Sequence, residues 1–197
     1  MQSKLDQQFP SSLSCSFGLE SQIAVSDDFS VTLPISEGEL TLNLPSEIEF
    51  DGREFQKKGE LHLTLVNRRA AEGIRELSEQ GVSEKVISNA LQEICNRIDW
   101  KFEPNGEAFH LQKSNQETGS HKESIVLMGE LTGHQEAYER IHSELGVKLG
   151  SPHPAHLTIY TSGSPRGIAI DSAAHLEQAL QASTRGEKDG IRARPLD

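Results

Sequence analysis

Cysteine and positive charge are both scarce in this sequence, and each scarcity removes a class of function. Cys15 and Cys95 are the only cysteines in 197 residues, and neither belongs to a Cys-x-x-Cys pair or another metal-ligand spacing. That argues against a disulfide framework and a cysteine-based zinc site, so both are read as reduced thiols. No apolar run approaches the roughly 20 residues that span a bilayer. Lys4 is not followed by the continuous apolar segment of a secretory signal. With 35% hydrophobic residues and a mean hydropathy of −0.51, a soluble cytoplasmic protein is expected. Nineteen Lys and Arg against thirty Asp and Glu give a net charge of −11. Long duplex nucleic acid is bound through many phosphate contacts, so this balance argues against it while leaving a small nucleotide or an RNA end open. The sequence also lacks a G-x-x-x-x-G-K-[ST] loop, a G-x-G-x-x-G turn and a G-x-S-x-G elbow.

What it does contain is one tetrapeptide pattern written twice, His62-Leu63-Thr64-Leu65 and His156-Leu157-Thr158-Ile159, each heading an aliphatic run. Side chains alternate faces along a strand, so in each copy His and Thr point one way and the aliphatic residues the other. A single His-x-Thr is weak evidence, but of the eight histidines only these two have a hydroxyl residue two places on. Two imidazoles brought together supply a general base and a general acid, and two hydroxyls supply donors for phosphate oxygens. That set suits phosphodiester cleavage without a metal or other cofactor.

The paired H-x-T-aliphatic strands resemble those of the two-histidine (2H) phosphoesterase superfamily, which includes RNA 2′,3′-cyclic phosphodiesterases and 2′-5′ RNA ligase-like proteins. The resemblance implies a bilobal α+β fold, with two pseudo-twofold-related lobes, antiparallel sheets flanked by helices, and a central cleft. It implies that His62 and His156 form the acid-base pair and that Thr64 and Thr158 hold the phosphate. The expected substrate is a 2′,3′-cyclic phosphate on a nucleotide or RNA end, or a related phosphodiester, and the expected state is a monomer. A non-catalytic nucleotide sensor and a 2′-5′ ligase or 3′-end exonuclease are the alternatives.

Hydroxyls alone do not neutralise a phosphate. Lys57, Lys58, Arg68 and Arg69 surround the first motif, and Arg166 lies in the Gly/Ser/Pro loop after the second. Arg166 is the favoured phosphate ligand, because Gly-flanked turns bring backbone and guanidinium close to an anion, although an ordinary solvated loop arginine fits the sequence equally well. Strict alternation puts Tyr160 on the face of His156, where it either stacks on a base or packs at the strand end. His153 and His156 flank Pro154 with no carboxylate or thiolate at matching spacing, so His153 is read as lining the cleft rim or solvated rather than as a metal ligand. His134 and His142 are read as exposed helix positions.

Residues 1–26, rich in Ser and Gln, are read as a partly disordered segment in which Phe17, Leu19, Ile23 and Val25 could add an edge strand. Residues 27–183 form the single bilobal domain and 184–197 a frayed, charged tail. Within the domain, strands are predicted over 29–35, 40–44, 61–66, 125–131, 155–161 and 168–170. Helices are predicted over 70–80, 83–98, 134–145 and 172–182. Asn105-Gly106 predicts a hairpin between strands 100–103 and 107–112, and 114–123 reads as a surface loop.

Overall fold

The computed structural model describes residues 15–16, 22–36, 44–115, 117–185 and 190–196. Its strands are β1 (Cys15–Ser16), β2 (Ala24–Val25), β3 (Val31–Ile35), β4 (Glu47–Phe50), β5 (Arg53–Lys57), β6 (Leu61–Val66), β7 (Lys101–Asn115), β8 (Ser120–Thr132), β9 (His156–Ser162) and β10 (Gly190–Pro195). The helices are α1 (Glu72–Glu79), α2 (Glu84–Asn96), α3 (His134–Leu145) and α4 (Ala173–Arg185). The fold is therefore α+β, with helices flanking one large antiparallel sheet. Its main order is β1-β7-β8-β9-β6-β3-β2, with β10 on the outer edge of β7 and β5 beside β9. The two motif strands, β6 and β9, are neighbours at its centre.

Two apolar cores divide the residues of β8 between opposite faces of the sheet. Ile125 and Leu127 join Leu63, Leu65, Leu157 and Ile159 in a core shared with Ile74, Leu91 and Ile141 of α1, α2 and α3. Val126 and Met128 join Phe109, Leu111, Ile168, Ile170 and Ala179 in a second core under α4. Burying a Leu or Ile side chain contributes roughly 1.5–3 kcal/mol. A slip of one residue would turn the aliphatic face of each motif strand outward, so burial also fixes its register. The second core leaves part of its face open beside β6 and β9, and the polar motif residues occupy that opening.

The motif strands, α2 and α3 form where the sequence predicts them, and Gly146 closes α3 with φ at 73°. Elsewhere tertiary pairing overrides local signals. Asn105-Gly106 is not a hairpin turn: β7 is one strand, both halves pair with β8, and a register shift between Pro104 and Ala108 absorbs the dipeptide as a bulge. The stretch expected as a surface loop continues β7 and β8 into a turn at 117–119. The expected frayed tail instead contains β10, whose Ile191 and Ala193 pair with Lys113 and Leu111 and so cover backbone groups at the edge of β7. Residues 168–170, expected as a strand, form none, and Ala24–Val25 supply the expected edge pairing. Phe17, Leu19 and most of the predicted 40–44 strand lie outside the described residues. Among the described residues no helix is long and apolar enough to cross a membrane.

Candidate active site

Leu63 pairs with Leu157 across the antiparallel β6–β9 junction. This register sets His62 opposite Thr158 and Thr64 opposite His156, all on the face away from the two leucines. The four side chains make a square with the histidines on one diagonal and the threonines on the other. Diagonal neighbours in an antiparallel pair are about 7–8 Å apart at the backbone, so one phosphate between them meets both imidazoles. All four residues are half-buried and line a cleft of about 210 Å³. Ser30 and Thr32 form one wall and the segment from Gly167 to Asp171 the other. Gly167 passes so close to Thr158 that an added Cβ would lie 2.9 Å from its Oγ1, so a side chain there would push the wall outward.

Lys58 enters this cleft through an interruption between β5 and β6. Gln56 and Lys57 pair with Thr161 and Tyr160, and the Lys58 N–H donates to the Ile159 carbonyl at 2.8 Å. Gly59 and Glu60 then bulge out before β6 resumes along the same edge of β9. The Lys58 Nζ stands 3.3 Å from Nδ1 and 3.4 Å from Nε2 of His62. Burial pushes the Lys58 ammonium below its usual pKa. Burial first, then the Lys58 and His156 charges, push His62 down to about 4.

His156 has different neighbours. Its Nδ1–H donates to the Pro154 carbonyl at 3.0 Å, which fixes the tautomer and leaves Nε2 for the cleft. Burial lowers its pKa, opposed by the Pro154 carbonyl and the Asp171 carboxylate, while Lys58 adds to the lowering. Asp171 is held in the wall by Asn67, whose Nδ2 donates to the Asp171 carbonyl at 3.2 Å while its Oδ1 accepts from the Ala70 N–H at 2.8 Å.

Two histidines are more deeply placed than expected. His134 is buried, not exposed, and its Nε2–H donates to the Leu65 carbonyl at 2.9 Å. His153 lines the cleft but is 4% exposed rather than solvated. Its ring packs edge-to-face on His134 and His156, with centroids 4.9 and 6.2 Å away. Neither of its ring nitrogens has a hydrogen-bond partner of ordinary geometry, and burial pushes its pKa down to about 3. His142 is exposed as expected.

Tyr160 does not face the cleft. A register shift between Ile125 and Val126 on β8 leaves Ile159 as an extra residue on β9, so strict alternation ends after Thr158. Tyr160 turns into the larger core and its hydroxyl donates to the Pro45 carbonyl at 3.1 Å. Arg166 is exposed in its loop and does not line the cleft, although Gly167 does. Arg68 does line it, with its guanidinium 3.6 Å from Asp28, whereas Arg69 lies in an adjoining cavity. The sequence reading missed Asn67, Asp171 and the position of Lys58. The only local signal was the Lys58-Gly59-Glu60 break immediately before an aliphatic strand.

Among the described residues no group of three or more His, Cys, Asp or Glu side chains is arranged to hold a metal ion. No family profile, curated protein or solved structure matches this chain.

Proposed function

We propose that the cleft is the active site of a metal-independent phosphodiesterase that opens 2′,3′-cyclic phosphates on nucleotides or RNA ends. The observation that carries this reading is the Leu63–Leu157 register, which puts two histidines and two threonines in one square. On this reading the chain is a two-histidine phosphoesterase, with its lobes related by a pseudo-twofold axis through that square.

His62, kept unprotonated by burial and by Lys58, takes a proton from water as the water oxygen attacks phosphorus. The bond from phosphorus to one ribose oxygen breaks, and His156 donates its Nε2 proton to that departing oxygen. The product is a phosphomonoester beside a free hydroxyl. Asp171 and the Pro154 carbonyl favour the protonated form of His156, and a bound phosphate anion favours it further. Thr64 and Thr158 donate to the non-bridging oxygens while Lys58 supplies the positive charge.

The test is incubation with 2′,3′-cyclic and 3′,5′-cyclic nucleotides and a cyclic-phosphate-ended oligoribonucleotide, with EDTA present and products resolved by phosphorus NMR. Ring opening of the 2′,3′-cyclic phosphates by wild type, lost in His62→Ala and His156→Ala, is the expected result. Binding without turnover by the folded wild type would replace this reading with that of a nucleotide sensor.

A further inference from the structure

The cleft does not end at Lys58. A second groove of about 390 Å³ shares that lysine and is lined by Glu54, Gln56 and Lys57 from β5 and by the Thr161–Pro165 turn. The turn lies against β8: a Cβ on Gly163 would be 2.6 Å from the His121 carbonyl oxygen and 3.5 Å from the Lys122 Cα. Beyond it Lys122 and Lys113 face each other across β8 and β7. Lys122 is two positions from Ser124, whose Oγ accepts the Ile168 N–H in the cleft wall at 3.0 Å. Lys122 therefore lies on the cleft face. It stands four residues from Val126, the partner of Thr158, about 13 Å along the strand.

Lys122 also reaches the Gly167 carbonyl at 3.4 Å. Burial first, then the positive charges of Lys113 and Arg166, push its pKa down. Among the described residues no carboxylate lies within ion-pair distance of Lys113, Lys122 or Arg166. In a chain of net charge −11, three uncompensated cations at the end of a phosphate-sized cleft create a local attractive potential against the overall field.

We infer that the groove and the Lys113, Lys122 and Arg166 cluster form a strand track that holds the nucleotides preceding the reacting phosphate, so that the substrate is the end of a single-stranded oligoribonucleotide rather than a free cyclic mononucleotide. This deepens the phosphodiesterase reading and rests on it. Arg166, the cation the sequence favoured for the reacting phosphate, acts here on a neighbouring one. The continuity with the cleft favours a nucleic-acid strand over an acidic protein, because only the strand presents a phosphate to both places.

Fluorescence anisotropy tests this without needing turnover. The probe is a 5′-labelled pentaribonucleotide ending in a 3′-phosphate, titrated with wild type, Arg166→Glu/Lys113→Glu and Lys85→Glu; Lys85 is an exposed lysine on α2. Three phosphate contacts give a salt slope of about −2, hence roughly 20-fold weaker binding for a four-fold rise in salt. The double variant is expected to bind at least about ten-fold more weakly than wild type and to lose most of that slope, while Lys85→Glu binds as wild type does. Competition by an unlabelled 3′-mononucleotide should require at least about ten-fold more ligand than competition by the unlabelled pentamer. Equal competition, unchanged affinity in the double variant, or an equal loss in Lys85→Glu overturns the track. The expected binding pattern without cyclic-phosphate opening would sink the catalytic reading alone.

Discussion

The two copies of the motif share three of their four residues, and the fourth differs only as Leu65 against Ile159, yet their histidines occupy unlike surroundings. His62 has an ammonium 3.3 Å from its ring, supplied by the break between β5 and β6. His156 has a carbonyl on Nδ1 and the charge of Asp171 nearby. A cation beside an imidazole favours the neutral ring, whereas an acceptor and an anion favour the protonated one. Burial lowers both pKa values, and on the proposed mechanism the neighbours make His62 the base and His156 the acid. On that mechanism the asymmetry resides in the residues before each motif and in the wall opposite, not in the motif itself.

Removing either histidine breaks the comparison outright. His62→Ala and His156→Ala should each lower kcat by about 10²–10⁴-fold, with His62→Ala losing the acid limb of the pH profile and His156→Ala the alkaline limb. Next in size is Lys58→Met, which removes the charge that suppresses protonation of His62. Steady-state kinetics should show a loss on the order of 10²-fold and an acid limb moved to higher pH. If that limb stays in place, Lys58 does not distinguish the two copies. Asp171→Asn should have a smaller effect of opposite sense, moving the alkaline limb to lower pH because His156 loses an anion that favours its charged form.

The smallest effect on activity and the clearest on stability belongs to His153. Its folded pKa is about 3 against an ordinary 6.5, so the unfolded chain takes up the proton first. The stability this group confers is complete above pH 6.5 and is lost as pH falls towards 3, by up to about 1.4 kcal/mol per pH unit. His153→Phe, which leaves no buried ring nitrogen without a partner, should flatten the fall in Tm between about pH 6.5 and pH 4. An unchanged fall would show that His153 titrates in the folded protein as it does in the unfolded chain.

The motif strands, their solvent-facing side and the order of helices around them were legible because each depends on local periodicity. The sequence could not show which bulges interrupt that periodicity. Tyr160 leaves the cleft face because β9 carries one residue more than β8 across from it, and Asn105-Gly106 becomes a bulge because β8 continues past it. Both are properties of the partner strand. The position of Lys58 also depends on β9, since β5 and β6 lie along one edge of it on either side of the Lys58-Gly59-Glu60 break. The burial of His134 follows from the Leu65 carbonyl, which lies 69 residues away in the sequence and is invisible from the amphipathic pattern of α3. Composition likewise gave the overall negative charge but not the gathering of Lys113, Lys122 and Arg166, which the β7–β8 register and the turn after β9 bring together.

The most direct test of the unequal pair is the pH dependence of kcat/KM for wild type on a 2′,3′-cyclic-phosphate-ended oligoribonucleotide, measured from about pH 3 to pH 8, since this profile reports the free enzyme's essential acid and base. His62 is pushed down to about 4 and burial holds His156 below the ordinary imidazole value of 6.5, so the account predicts a bell whose maximum lies on the acid side of pH 6.5. A rate that climbs through neutrality and levels above pH 7 would contradict it, because the acid would then be a group other than His156.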